Sequence, residues 1–290
     1  MERKRAERNS EFEHPRSSGE TFVTCSQEAN LRNFQPFQTT DAKTIEALEA
    51  TITTQKKTVG TTRAQFLWAP ELDLNAFQTV IDEPDLFNEV KTTVCRSRQD
   101  VIYKIMPGGR HEQLTRRFES LISHCLANMS LTEIGGHFEW LGSARYSGIC
   151  CSKEPDSTFV PGQVNVAAGW TPSLVIETGY SESIHQLRAD AHWWYNNTSP
   201  KTKTVILIHA GRSPTWTVTV EIWEEIESPR RSTRAMPSPT IDCTQTVRIQ
   251  NGVVFGGNLV INFSRLMRRP TRHPIENDIV LNAGLLQRLA

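Results

Sequence analysis

Two apolar runs constrain this chain more than any other feature. Leu174-Val175-Ile176 and Val205-Ile206-Leu207-Ile208 show no alternation between apolar and polar residues. A strand that is apolar on consecutive residues is buried on both faces, as strands covered by helices on each side are. Between the two runs, Ile184, Leu187, Ala191, Trp194 and Tyr195 recur at helical spacing behind Ser181. Strand, helix, strand in that order predicts the middle of an α/β domain.

The flanking signals extend it. Val101-Ile102-Tyr103-Lys104-Ile105 is a short β-rich run closed by Pro107-Gly108-Gly109, and Leu114, Phe118, Leu121, Ile122, Cys125 and Leu126 predict a helix over about 111–127. Three short strands are expected between 136 and 178: near Phe138 to Tyr146, at Phe159-Val160, and at the run ending in Ile176. Trp216, Val218, Val220 and Ile222 alternate with polar residues and read as a strand with one wet face. The central order is helix, three strands, helix, strand. Residues 1–66 mix charge, Ser and Pro and are expected to be a mostly disordered leader with one short helix around Ile45, Leu48 and Ile52. The α/β core is placed at 67–227, its first helix holding Leu74, Phe77, Val80 and Ile81 and stopping at Pro84. A Pro/Ser/Arg-rich linker follows at 228–240, then strands and a final helix over 241–290 that pack on the core.

Thirty-two basic and thirty-two acidic side chains cancel, which excludes a polycation and an acidic tail protein. No apolar run approaches the roughly eighteen residues of a membrane helix, and the N-terminus lacks the apolar stretch of a signal peptide. An intracellular protein, cytoplasmic or nuclear, is expected, with Cys25, Cys95, Cys125, Cys150, Cys151 and Cys243 as reduced thiols.

The chemistry centres on two acids. Glu177 ends the first apolar run, and Asp156 follows Pro155 twenty-one residues earlier. A buried carboxylate requires a cation, a donor or a metal beside it. Two acids on neighbouring strands can share Mg²⁺, a hard ion that prefers oxygen ligands and retains waters. The plainer alternatives are a turn residue after Pro for Asp156 and a surface ion pair for Glu177.

The segments Met106-Pro107 with His111-Glu112, Ser152-Lys153-Glu154-Pro155-Asp156, Pro172-Ser173-Leu174-Val175-Ile176-Glu177-Thr178-Gly179-Tyr180-Ser181-Glu182-Ser183 and Leu187-Arg188-Ala189-Asp190-Ala191-His192-Trp193-Trp194 carry a resemblance. Over roughly 101–225 the chain resembles the PD-(D/E)XK nuclease superfamily, and more closely the restriction-endonuclease-like proteins common in filamentous fungi. Pro84-Asp85, a second Pro-Asp pair, has no strand and Glu behind it. The resemblance implies a restriction-endonuclease-like core, a mixed sheet flanked by helices, and a Mg²⁺- or Mn²⁺-dependent endonuclease acting on DNA. Asp156 and Glu177 would be its catalytic, metal-binding acids. The motif's lysine falls on Gly179, a departure from the pattern. Relatives can draw that cation from the following helix, and Arg188, about 40° from Ile184 on the helical wheel, is the candidate third catalytic residue. The first helix of the superfamily sometimes contributes a Glu, for which both Glu112 and Glu119 are open. The alternative is a catalytically inactive relative that binds nucleic acid or a protein partner, motivated by Gly179 and the zero net charge. A purely structural protein whose acids pair with Arg or Lys is a third reading.

The remaining features have expected roles. Trp194 and Tyr195 are placed in the core and Trp193 on the surface, as a possible contact. His111 and His192 are expected to be neutral structural histidines, and Cys150-Cys151 a buried strand pair. Arg230, Arg231 and Arg234, then Arg265, Arg268, Arg269, Arg272 and His273, read either as a solvated face or as the rim of a nucleic-acid groove. DNA is the expected partner, no membrane is, and the sequence leaves the oligomeric state open.

Overall fold

In the computed structural model the two apolar runs become neighbouring parallel strands at the centre of a seven-stranded sheet. The structure describes residues 38–289 except 60–64, 84–85, 88–89, 97, 106–108, 149–150, 164–169, 181–183, 213–214 and 227–238. Residues 1–37, the Pro84 stop, Pro107 and Gly108 of the expected turn and nearly all of the 228–240 linker, with Arg230, Arg231 and Arg234, lie outside the described residues.

The N-terminal portion comprises β1 (Gln38–Thr39), α1 (Ile45–Val59), β2 (Gln65–Ala69), α2 (Leu74–Asp82), β3 (Val90–Cys95) and β4 (Asp100–Ile105). The middle runs through α3 (Gly109–Ala127), β5 (Phe138–Trp140), β6 (Tyr146–Ser147), β7 (Cys151–Lys153), β8 (Ser157–Pro161), β9 (Leu174–Tyr180), α4 (Ile184–Asn197), β10 (Thr204–Arg212) and β11 (Trp216–Ile226). The C-terminal portion holds β12 (Thr240–Gln250), β13 (Val253–Phe255), β14 (Leu259–Ile261), α5 (Phe263–Met267), β15 (Ile279–Leu281) and α6 (Ala283–Leu286).

The large sheet has the order β13-β12-β11-β10-β9-β8-β5. β5, β8 and β9 form an antiparallel meander, β10 runs parallel to β9, and β11 to β13 continue antiparallel. The parallel step needs a crossover, and α4 supplies it. Because side chains alternate along a strand, β9 divides its residues between two helices. Leu174 and Ile176 join Leu114, Phe118 and Ile122 of α3 in one core, while Val175 joins Leu187, Ala191 and Trp194 of α4 in another. Helices on both faces explain why consecutive residues of β9 and β10 are apolar. The short sheet of β14 and β15 closes the α3 side of the core.

Long-range pairing joins segments far apart in the chain. The second sheet, of order β1-β2-β4-β3-β7-β6, joins strands from 38–105 to strands from 146–153. The helix expected in the leader is α1, and it is integral to this unit: Leu48 and Ile52 pack on Leu67, Tyr103 and Ile105. The stretch 67–105, expected to open the α/β core, enters this second sheet through β2, β3 and β4, beside β1, β7 and β6. The segment expected as one strand near 138–146 is divided, with β5 in the large sheet and β6 pairing β7 in the other. Neither pairing has a local signature, since register is decided by the partner strand. No described helix is long and apolar enough to cross a membrane.

Phe159 tests the packing that holds the meander. It is fully buried, stacked on Phe138 at 4.9 Å between ring centroids and edge-on to Trp140 at 5.2 Å. Phe159→Ala is expected to destabilise the protein by about 3–5 kcal/mol, read as a fall in the urea midpoint without a change in m-value.

Candidate active site

The two acids singled out from the sequence meet at the carboxyl end of β9. Pro155 carries no N–H to pair in a ladder; its carbonyl accepts from Lys91 at 2.7 Å. Asp156 then turns inward, and its Oδ2 accepts the main-chain N–H of Thr178 at 2.6 Å, which locks the start of β8 to β9. The same oxygen is 2.8 Å from His111 Nε2 on α3 and 3.9 Å from Lys104 Nζ on β4. Oδ1 is ion-paired with Lys91 on β3. Glu177, 1% exposed, faces the α4 side. Its Oε1 accepts the indole N–H of Trp194 at 2.6 Å and lies 3.4 Å from Lys153 Nζ. Lys153 also ion-pairs with Asp190 of α4.

Three ammonium groups (Lys91, Lys104, Lys153) therefore face three carboxylates (Asp156, Glu177, Asp190) within one buried cluster. Burial disfavours the charged form of each, and close opposite charges favour it. At Asp156, burial acts to raise the pKa, but His111, Lys91 and Lys104 outweigh it and hold the carboxyl well below its ordinary value. At Glu177 burial prevails over the pull of Lys153, with Asp156 and Asp190 adding repulsion, so its pKa is raised. Lys153 is also raised: burial acts to lower it, but Asp190 and Glu177 together keep its proton in place. A brace stands next to this cluster. Glu154 accepts from Arg145 Nε at 2.9 Å and from Thr92 Oγ1 at 2.8 Å, and Arg145 Nη1 reaches the Val80 carbonyl at 2.9 Å, tying the loop to α2 and β3.

A narrow cleft with about 30 Å³ of internal space lies over Glu177. One wall is the second sheet, with Phe66, Lys91, Ile102, Lys104 and Lys153; the other is α4, with Gln186, Asp190 and Trp193. Among the described residues no three His, Cys, Asp or Glu side chains gather as a metal site. The donor set is nonetheless suited to a hard cation. The Lys104 ammonium stands between Asp156 Oδ2 at 3.9 Å and the Thr178 carbonyl at 3.5 Å, so a cation already occupies an all-oxygen position. One carboxylate, one carbonyl and waters are oxygen ligands of the kind Mg²⁺ takes, and a divalent ion there would compete with that ammonium.

Asp156 and Glu177 are near enough for one to raise the pKa of the other, but only Glu177 lines the cleft, and Arg188 joins neither. Its guanidinium is bound by Glu221 of β11, Nε to Oε2 at 3.1 Å and Nη2 to Oε1 at 2.6 Å, because its side of α4 faces the β10–β11 side of the sheet. The cation beside Glu177 is Lys153, inside the quoted motif but without a role assigned from sequence. Lys91 and Lys104 were also missed; the available signal was a lysine in an otherwise apolar strand, as in Tyr103-Lys104-Ile105. His111 is buried as expected, but on the Asp156 carboxylate. Glu112 and Glu119 both pair with Arg116, at 2.7 and 3.0 Å. Trp193, expected at the surface, is buried in the cleft wall, with Lys153 Nζ 5.7 Å from its ring centroid. Trp194 lies in the core as expected, and its N–H serves Glu177. Cys151 is buried on β7, and Cys150 lies outside the described residues. In the C-terminal basic stretch, Arg265 is 3.2 Å from Glu224, Arg268 donates to the Pro172 carbonyl at 2.9 Å, and Arg269 is 2.6 Å from Glu276. Arg265 and Arg268 hold the C-terminal segment against the fold, while the Arg269–Glu276 pair braces that segment internally.

The two acids should respond oppositely to neutralisation. Asp156, depressed from 3.8, stabilises the fold above that value, and the contribution is lost as pH falls through its lower folded value. Glu177, raised from 4.5, contributes fully below that value and loses the contribution as pH rises through its higher folded value. At pH 7, Asp156→Asn is expected to lower stability by about 3 kcal/mol, since it leaves buried cations uncompensated. Glu177→Gln is expected to raise the urea midpoint at that pH and to lose the gain near pH 4.

Comparisons with known proteins add little. No family model matches the chain, and no curated protein does. A crystal structure described as a "putative nuclease belonging to DUF820" from Anabaena variabilis is similar over 68% of this chain and 90% of its own, at 13% identity and a TM-score of 0.36.

Proposed function

We propose that this protein is a metal-dependent phosphodiesterase that hydrolyses DNA, with Asp156, Glu177 and the Thr178 carbonyl as the ligands of Mg²⁺ or Mn²⁺. The observation that carries the reading is that Glu177 and Lys153 line one cleft beside a central strand, with the buried Asp156 close enough to act on Glu177 electrostatically. The succession α3, β5, β8, β9, α4, β10, with β6 and β7 between β5 and β8, is compatible with the helix, three strands, helix, strand order that the nuclease resemblance implies. Bound there, a divalent ion lowers the pKa of a water and neutralises charge on a phosphodiester.

The protein's own groups do the rest. Lys91 and Lys104, projecting from the second sheet, supply positive charge for an incoming phosphate. Lys153 takes the place of the cation absent at Gly179. Asp190 and Glu177 keep it protonated, so it stabilises charge on the phosphorane-like transition state and does not act as a base. The cleft walls exclude water and strengthen each of these interactions.

A second reading is favoured by one observation: protein donors already satisfy both oxygens of Asp156. On that reading the cluster is a neutralised, catalytically silent site that retains nucleic acid or protein binding. Because Asp156 also supports folding, Glu177→Gln is the cleaner probe. Labelled single- and double-stranded DNA, incubated with Mg²⁺, Mn²⁺ or EDTA, should be cut only with metal and about a hundredfold more slowly by Glu177→Gln. Mg²⁺ at ten times its Kd should raise Tm by about 2–4 °C in the parent protein, and should not in the variant. Equal cutting by parent and variant would sink the proposal. A folded protein with neither cutting nor a metal-dependent Tm would establish the silent module.

A further inference from the structure

Cys95 of β3 and Cys151 of β7 stand directly opposite one another in the second sheet. How near they come depends on their place in the ladder, because antiparallel strands alternate hydrogen-bonded pairs with closer, non-hydrogen-bonded ones. Glu154 donates its N–H to the Thr92 carbonyl at 3.3 Å, so Thr92 and Glu154 form a hydrogen-bonded pair. Alternation through Thr93↔Lys153 and Val94↔Ser152 makes Cys95↔Cys151 a non-hydrogen-bonded pair. The other edge of β7 agrees, since the Cys151 carbonyl accepts the Gly148 N–H at 2.9 Å and so points toward β6, away from β3. Such a pair has its Cα atoms about 4.5 Å apart, within the roughly 4.4–6.8 Å that a disulfide spans. Both residues are buried thiols in one core cluster with Tyr146, Trp193 and Trp194, so the two side chains leave the sheet on the same face. We propose that Cys95 and Cys151 are a site of reversible oxidation, which a peroxide converts to a cross-strand disulfide.

Hydrogen peroxide balances the step. One thiol, as its thiolate, attacks a peroxide oxygen and breaks the O–O bond, giving a sulfenic acid and one water. The second thiol attacks that sulfur, forms the S–S bond and expels the other water. The two cysteines lose two hydrogens and two electrons, and the peroxide is reduced to two waters. Cys151 lies one strand from the edge of the sheet, which the two-residue β6 forms, so an oxidant of that size has little structure to part. In a reducing compartment such a pair rests as thiols and bonds transiently. The bond acts close to the charged cluster. Lys153, two residues further along the same face of β7, pairs with Asp190, and β3 carries Lys91 on Asp156. Joining the strands at Cys95 and Cys151 fixes the spacing of these two cations and closes a loop that contains α3 and β5. Neither metal nor nucleic acid takes part.

The test treats the full chain with hydrogen peroxide under native conditions, alkylates the remaining thiols and maps the digest by mass spectrometry. The parent protein should lose two thiols. The peptide holding Cys95 should be found linked to the one holding Cys150 and Cys151, lighter by two hydrogens than the reduced pair, and dithiothreitol should release it. Cys150→Ala should still form the link, whereas Cys95→Ala and Cys151→Ala should not. Oxidation should raise the Tm of the parent by about 5 °C, as closure of a long loop does, and reduction should reverse the rise. Circular dichroism before oxidation checks the fold of each variant, and the map of the parent depends on none of them. A link that survives in Cys151→Ala but is lost in Cys150→Ala would overturn the proposal. So would a bond between Cys150 and Cys151, a link that forms only in urea, sulfinic or sulfonic acid at either cysteine in place of a link, or a Tm that falls on oxidation.

Discussion

The carboxylate of Asp156 joins the parts of this fold that carry its chemistry. One side chain accepts from the β9 main chain, contacts α3 through His111, and draws Lys91 and Lys104 from two strands of the other sheet. These interactions lie between two hydrophobic cores, where a lone charge would be far too costly to keep. The position of the second sheet over the end of β9 therefore depends on Asp156 being ionised, and its depressed pKa states the same fact in terms of protonation.

Glu177 shows the opposite balance only one residue from Thr178. It has one ammonium at 3.4 Å and one indole N–H, against two neighbouring carboxylates and nearly complete burial. Two acids whose surroundings push their protonation equilibria apart are a recurrent feature of functional sites. Structural ion-pair networks perturb acids as well, and the Glu154–Arg145 brace beside the site is one such network. The distinction lies in what remains unsatisfied. Both the brace, through Thr92 and Glu154, and Glu177 line the cleft, and of the described residues around it Gln186 alone has an unpartnered buried polar atom.

Much of this was legible in residue order. Leu174-Val175-Ile176 ending in Glu177 announced a doubly covered strand with a charge at its tip, and Pro155-Asp156 announced a turn that delivers a second one. The spacing of Leu187, Ala191 and Trp194 placed α4. The error over Arg188 is instructive: a helical wheel gives the angle of a side chain about its own helix, while Glu221, thirty-three residues on, decides where the guanidinium settles. The same limit hid Trp193, which was expected to face solvent because the strands that cover it lie a hundred residues earlier.

By itself the sequence determined the elements that depend on local periodicity: the buried strands, the helices on their two faces, and the acids at the strand ends. Only the tertiary structure decided which cations those acids meet. Lys91, Lys104 and Lys153 lie on strands of a sheet assembled from residues far apart in the chain, and strand pairing depends on long-range contacts that no local pattern encodes. The conjunction that makes a candidate active site, charge on one sheet against charge on another, is therefore a property of the packing.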